Sequence, residues 1–516
     1  MKYKFLAYIP VMAAALLSFS ACSDSFLDRE TDGSFITPDQ LEESAKWNPK
    51  VLLGQTQGIT TSLIRWQAGG TDSQSDFGQK SVDISTDLMS HDMVMSRGSS
   101  YGYFISGAQG TAANKNNTAS NWYFYYKVIN ASNFTFTTLG SDEVAPENAS
   151  YKLYYAQAKT ARAFAYSNLV NLFTGDYATY KDKKVIPIYR EQSATAKGPE
   201  TTAKVYEQIF FDLNGAIEAF KAAAEAGYTS TIDQPSLAVA YTLKAYAYLQ
   251  MGDNANAKAN ADLAIEAAQG AGKAILPKSD LNYGFNTVNN NDWLWGVDIT
   301  ADNTGGLCTF WGMMDLYTYS YTAAGDFKVI NSDLFNQIPE SDARREWFTT
   351  SPYYAAWQGS PLALLPTGKF HSDRSSEIMG DRSWESDIHF MRIEECYLIA
   401  AEAEAREGHT ASAATYLKAI LDNRDETTAA SLASMTNDQL LDEIFFNWRV
   451  EMWGEGKSLQ TFKRFKKNMT CPANDPKYGV AANGSARVIN YDSKEVVFAI
   501  PNQELQYNSN MKDADQ

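Results

Sequence analysis

Residues 391–408, MRIEECYLIAAEAEAREG, set five carboxylates, Glu394, Glu395, Glu402, Glu404 and Glu407, among alanines and aliphatics. Paired carboxylates can act as general acid, base or nucleophile, so this stretch is the first candidate for hydrolytic chemistry. On a helix, Glu395 and Glu402 share a face about 10 Å apart along the axis, beyond what either glycosidase geometry uses. As architecture they fit better. Glu394 and Glu395 beside Arg392 suit a helix start, and Glu402 with Arg406 forms an i,i+4 pair. Other catalytic sets are missing. His91, His371, His389 and His409 have no HExxH or HxH spacing, and the chain contains no GxSxG elbow, P-loop or GxGxxG. A glycosidase stays open only because two carboxylates distant in sequence would suffice. The chain is therefore expected not to be an enzyme.

The aromatic loops are the stronger lead. FWGMMDLYTYSYT at 310–322 spaces Trp311, Tyr317, Tyr319 and Tyr321 among small and polar residues, and SYGYF at 100–104 adds Tyr101 and Tyr103. Flat rings stack on the apolar faces of sugars, while neighbouring amides and carboxylates satisfy the hydroxyls. These six residues are the expected ligand contacts, although alternating tyrosines also fit a strand with one buried face. Trp293 and Trp295 alternate within the strand-like DWLWGVDIT and are expected to pack.

The elements that must position these rings are helical. The chain has 516 residues, 44% hydrophobic and 13% aromatic, enough for a substantial core. In 151–173, Tyr154, Ala158, Ala161, Ala165, Leu169 and Leu172 form an apolar stripe, with Gly175 expected as the stop. A second helix is expected over 201–224, capped by Thr201 or Thr202, with Val205, Ile209, Leu213, Ile217 and Phe220 as its stripe. Residues 236–267 read as two helices about a GDN break. Tyr248, Gly252, Ala257 and Ala264 there stand at tetratricopeptide-like offsets, and Tyr397, Ala401, Gly408, Ala413 and Ile420 repeat the arrangement. Units so far apart are not a continuous solenoid, so something is inserted. The intervening 270–388, like 60–120, is rich in Asn, Gly, Ser, Trp and Tyr and reads as loops.

The first residues predict export. Lys2 and Lys4 precede an apolar run over 5–21 that ends at Cys22, too short to be a mature membrane span. FSAC at 19–22 resembles a bacterial lipobox, with Phe19 in place of the usual Leu. Residues 1–21 are thus expected to be a lipoprotein signal peptide, Cys22 the acylated residue and 22–40 the tether. The net charge of −17 argues against a nucleic-acid partner. With no CxxC, neither a zinc site nor a disulfide framework is indicated. One disulfide among Cys308, Cys396 and Cys471 stays open, as does a structural calcium; no other cofactor is expected.

Together these residues resemble the SusD/RagB family of outer-membrane nutrient-binding lipoproteins. The resemblance runs through Cys22; Trp122, Tyr126, Ile129 and Asn130; Ala158, Arg162, Ala163, Tyr166, Leu169 and Gly175; the strand DWLWGVDI; Arg392, Glu395, Leu398, Ala401, Glu402, Ala403 and Gly408; Glu451, Glu455, Gly456 and Arg464; and Phe498, Ile500, Pro501, Glu504 and Asn508. Asn447 and Trp448 stand where the family has Glu-Arg, Ser458 where it has Arg, and Thr461 where it has Asp. The resemblance implies a mainly α fold. Tetratricopeptide-like helix pairs, about 120–268 and 389–468, would carry a loop-rich ligand half, about 60–120 and 270–388, within one domain over 41–516. It implies a lipid-anchored cell-surface protein of the outer membrane that binds a glycan without cleaving it and delivers it to a SusC-like TonB-dependent transporter. A helical-repeat scaffold that captures peptide or other non-sugar cargo is the alternative. The family's ligand residues form no fixed motif, so none carries over.

Overall fold

The computed structural model describes residues 50–95, 108–351, 362–471 and 487–515, with Gln40, Glu43, Ser44 and Asn48 in addition. The expected signal peptide, Cys22, the expected tether up to residue 39, Tyr101 and Tyr103 lie outside the described residues. The chain divides into units 1–51 and 52–516, and the second carries everything that follows.

The helices follow from caps and stripes. α1 (Gln79–Ser90) precedes α2 (Asn116–Leu139) and α3 (Ala149–Phe173), which begins where the Asn148 side chain accepts from the Ser150 N–H. α4 (Thr202–Glu225) is capped by Thr201, as expected, through a 3.3 Å bond from the Lys204 N–H, and every residue of its expected stripe is buried. α5 (Leu237–Met251) and α6 (Asn254–Gly270) flank the GDN break, with Gly252 at φ 80°. α7 (Ile393–Arg406) and α8 (Thr410–Leu421) flank Gly408, also at φ 80°, a left-handed turn that favours glycine. The matched Ala257, Ala264, Ala401 and Ala413 are fully buried. Small side chains there let successive helices approach closely. α9 (Asn437–Glu451), opened by a Thr436/Gln439 capping box, and α10 (Ser458–Phe465) complete the set.

Each helix packs on the next: α2 on α3, α3 on α4, α4 on α5, α5 on α6, α6 on α7, and α7 on α8 and α9. The two repeat units, separated in sequence, therefore sit side by side through α6 and α7, and residues 271–392 loop out between them. That excursion closes on itself. β1 (Trp293–Val297) pairs antiparallel with β2 (Ile388–Arg392), with Trp293 opposite Arg392 and Val297 opposite Ile388. Trp293 and Trp295 are buried, as their alternation predicts.

Three expectations need correction. α3 carries more than one buried face, because it lies between α2 and α4; Lys159 and Arg162 are buried off its stripe. Gly175 is not a left-handed stop: α3 ends into an extended Thr174, and a Cβ on Gly175 would meet the Tyr180 ring at 2.3 Å. Within the expected loop region 60–120, α1 is a fully buried helix. Its Asp87 carboxylate accepts the backbone N–H groups of Gly454 (2.7 Å), Gly456 (3.3 Å) and Ser458 (3.4 Å), tying it to the turn before α10. Gly456, at φ 75°, cannot carry a side chain, because a Cβ would stand 2.6 Å from Asp83 Oδ1.

Charges, not only apolar side chains, occupy the core. Arg162 on α3 donates to Asp212 on α4 (2.6 and 2.9 Å), to Asn133 on α2 (2.7 Å) and to Asp142 (2.8 Å), while Lys159 reaches Asp212 at 3.0 Å. A larger cluster surrounds Arg392, the last residue of β2. Its guanidinium forks onto Glu455 with two bonds of 2.9 Å, and lies 3.1 Å from Glu394, 3.3 Å from Glu451 and 3.4 Å from Asp292. Arg424 bridges Glu394 (3.1 Å) and Glu451 (2.9 Å). Arg344 joins Asp342 (2.6 Å) to Glu451 (3.2 Å), and Lys369 meets Glu455 at 2.8 Å. All of these side chains except the half-buried Asp142 are buried. Cys308, Cys396 and Cys471 are buried and no disulfide joins any two of them, which closes the disulfide question.

The cluster predicts a pH dependence. Burial, then the Glu394 charge, raises Asp292 from 3.8 to about 8. Between those values the folded protein holds a proton that the unfolded chain has released, so this group's contribution to stability falls as pH rises. Asp292→Asn removes that slope. The melting temperature of the variant relative to wild type is expected to climb from pH 5 to pH 8; a constant difference across that range contradicts the assignment.

Candidate ligand-binding site

Three glutamates of 391–408, Glu394, Glu395 and Glu402, are scaffold. Glu394 belongs to the Arg392 cluster. Glu395 accepts the Arg392 N–H (3.0 Å) in a capping box and also meets the Tyr246 hydroxyl (2.6 Å) and Lys457 (3.0 Å). Glu402 pairs with Arg406 (2.8 Å), as its spacing predicts, and with Arg464 (3.0 Å), which together hold its carboxyl below the usual range against the opposing effect of burial. All three are inaccessible to substrate.

The expected aromatic loop folds as a short helix, Phe310–Met314, followed by turns rather than a strand. Trp311 does not meet the expectation. It is fully buried and its indole N–H donates to the Ser386 carbonyl at 2.7 Å, so no ring face is left for a ligand. Tyr317 is half-buried, with the Arg382 guanidinium 4.5 Å from its ring centre, and packs against Val94, Leu316 and Phe327. Tyr321 is half-buried and its hydroxyl engages Cys308, whose thiol burial raises to about 11. Tyr319 alone of the four presents its ring, with 62% of its surface exposed.

Tyr319 has a companion that the sequence did not single out. Trp384 lies with its ring centre 6.3 Å from that of Tyr319, inclined at 57°, and its indole N–H donates to the Tyr319 carbonyl at 2.7 Å. The two segments are strapped together by the backbone: Arg382 N–H donates to Tyr317 O (2.8 Å), and Tyr319 N–H donates to Arg382 O (3.1 Å). Asp315 braces the strap from beneath, accepting from the Thr318 hydroxyl (2.8 Å), the Ser372 hydroxyl (2.9 Å) and the Tyr317 N–H (3.2 Å). Trp384 and Ile64 line one small recess, and Trp66, two residues on from Ile64, is 41% exposed. The result is an aromatic ledge with its backbone already in place, able to stack a flat apolar face without reorganising. A lone Trp384 between Ser383 and Glu385 carried no periodic signal. Only the backbone bridge reveals it.

Among the described residues no group of three or more His, Cys, Asp or Glu is placed to hold a metal ion. His389, driven down to about 3 by burial, is neutral and sits against Glu455 at 2.9 Å.

Residues 243–515 match the model of the SusD family, and residues 59–249 match the family described as starch-binding and associating with the outer membrane. A SusD-like carbohydrate-binding protein of Bacteroides vulgatus is 20% identical with a TM-score of 0.72, over 90% of this chain and 98% of its own. A SusD superfamily protein of Bacteroides thetaiotaomicron is 19% identical with a TM-score of 0.71, over 90% and 99%. No curated protein matches the chain. At these identities the likeness is one of fold.

The buried and exposed rings should separate on substitution. Trp311→Ala is expected to cost about 3–5 kcal/mol of stability, as for large core side chains. Tyr319→Ala should stay within about 0.5 kcal/mol of wild type in the same thermal unfolding series. An equal loss from both would place Tyr319 in the core.

Proposed function

The chain belongs to the SusD family, and from that premise we propose that it is a non-catalytic glycan-binding lipoprotein of the outer-membrane surface. The observation that carries the glycan reading is the ledge of Tyr319 and Trp384, an exposed ring beside a half-buried one on the loop-rich half. Stacking on aromatic faces suits uncharged sugar rings, whose axial C–H groups form apolar patches. A binding role without cleavage is supported by the chemistry beneath the ledge. Asp315, the carboxylate that braces it, is fully buried and held by Tyr317, Thr318 and Ser372, out of a ligand's reach. The bound glycan is delivered to a SusC-like TonB-dependent transporter, a step that rests on the family resemblance.

Calorimetric titration with maltohexaose, cellohexaose, xylohexaose, laminarihexaose and mannohexaose tests the glycan reading. Tyr319→Ala and Trp384→Ala should each weaken the binding of the recognised sugar about tenfold, or ~1.4 kcal/mol. Affinity retained in both variants would move the site elsewhere, and silence across the panel with a folded protein would refute the reading.

The anchor is assigned to Cys22 by the FSAC stretch. Metabolic labelling with an alkyne-bearing palmitate analogue should mark the wild-type chain and leave Cys22→Ser unlabelled. Label retained in the variant would place acylation at another residue.

A further inference from the structure

A second aromatic hollow shares no residue with the ledge. It lies against α2, where Tyr123, Tyr126 and Asn130 occupy one helical face at spacings of three and four. Opposite stands the short C-terminal helix Asn502–Tyr507, with Gln503, Glu504 and the 85%-exposed Tyr507. Tyr189 and residues 191–196 close the third side around a cavity of about 420 Å³, a size that suits a small-molecule site. Both helices come from stretches that carry the family resemblance at opposite ends of the chain, and the glycan-binding reading uses neither.

The walls are held in place before any ligand arrives. Asn133 donates to the carbonyls of Tyr189 (3.2 Å) and Glu191 (3.1 Å), and is itself fixed by Arg162. The Tyr126 hydroxyl donates to Pro187 O (2.9 Å), and the Tyr189 hydroxyl accepts from the Lys197 N–H (2.8 Å). Tyr126 and Tyr189 meet edge to face, ring centres 5.8 Å apart at 89°, forming an aromatic corner. Asn508, buried behind, donates to Glu504 Oε1 at 2.7 Å and to Lys197 O at 2.9 Å.

What remains unused faces the hollow. Glu504 Oε2, the Asn130 and Gln503 amides and the Tyr123 hydroxyl make no hydrogen bond within the described residues. Burial, then the Glu504 charge, lifts the Tyr123 phenol to about 12, and the same carboxylate bears on Tyr126 and Tyr189. Glu504 thus stands among three tyrosines. No Lys or Arg lines the hollow, so an anionic ligand is disfavoured. Two carboxylates line it, Glu191 and Glu504, but the Lys197 ammonium behind the rim already stands 3.8 Å from Glu191 and 5.6 Å from the Tyr189 ring, so a cationic guest would meet a like charge. A neutral ligand that offers hydroxyls to a carboxylate and amides, and a flat apolar face to tyrosine, matches every group present.

We propose that this hollow is a second carbohydrate site, in which a sugar ring stacks in the Tyr126/Tyr189 corner and its hydroxyls bind Glu504 Oε2, Asn130 and Gln503. It rests on the glycan-binding reading only for the ligand class, since it shares no residue with the ledge. Two sites with no residue in common let one chain grip a long glycan at two points, raising its apparent affinity over that of a short oligomer.

The test uses the same hexasaccharide panel on four full chains: wild type, Tyr319→Ala/Trp384→Ala, Tyr123→Ala/Glu504→Gln, and the fourfold variant, each checked for an unchanged melting profile. Gln at 504 keeps the carbonyl that Asn508 needs. Two sugars per wild-type chain are expected, one for each double variant and none for the fourfold variant. If the ledge variant binds no sugar while wild type binds one, the second site is refuted and the ledge stands. If the hollow variant is silent and the ledge variant binds as wild type, the ledge is refuted and the hollow stands. A wild type silent to the whole panel overturns both.

Discussion

Arg392 is the constraint on which the rest of the molecule depends. It ends β2, precedes the first turn of α7, and carries a charge that no water reaches. A buried guanidinium is tolerable only when its donors are met by acceptors and its charge by carboxylates. Glu455 supplies a two-pronged partner from the turn after α9, Glu451 comes from α9 itself and Glu394 from α7, while Asp292, which keeps its proton up to about pH 8, adds an acceptor oxygen from the residue before β1. Three separate pieces of chain, 292, 392–394 and 451–455, must therefore arrive at one point. Arg344, Lys369 and Arg424 bring further segments of the excursion and the helix stack to the same carboxylates. Hydrophobic burial would allow several ways to dock the 271–392 excursion on the helices. A set of interlocked charges allows far fewer, since a misplaced strand leaves an ion without its partner.

The same logic accounts for departures from the family at four positions. Asn447 accepts from Arg344 Nη2 at 2.8 Å and so serves as a neutral acceptor at the edge of the cluster. Trp448 is buried with the Arg464 guanidinium 5.1 Å from its ring and Tyr246 at 6.0 Å, replacing an ionic contact with a cation–π one. Thr461 turns its hydroxyl to the Lys457 carbonyl (2.9 Å), and the Ser458 N–H is taken by Asp87.

How much of this was legible in the sequence depends on the physical signal. Helices α3 to α8 were, because a 3.6-residue period and the Gly–Ala offsets are local properties of a stretch. That Glu394, Glu395 and Glu402 serve architecture was legible from their spacing, but not that they are buried. Charged residues at a helix start look alike whether their partners are water or Arg424, thirty residues away. The ligand half was the least legible. Trp311 and Tyr319 sit eight residues apart in one aromatic run, yet one is core and the other surface, because the turns after Met314 break the period from which orientation could be inferred. Trp384 gains its meaning only from a backbone bridge to a segment 65 residues earlier.

The two halves are also held by different means. The cluster about Arg392 fixes where the excursion leaves and rejoins the helices, through Asp292 at one end and Arg392 at the other. The ledge is held by contacts internal to the excursion: the 317–319 strap on 382–384, and Asp315 on Thr318 and Ser372. Neither Tyr319 nor Trp384 touches the ion cluster. A change of ring at the ledge therefore alters what is stacked there without exposing a buried charge, whereas a change at Arg392 or Glu455 strands one. Within a single chain this separates residues free to follow a ligand from residues bound to the fold. It is the physical condition under which one helical platform can carry different loops.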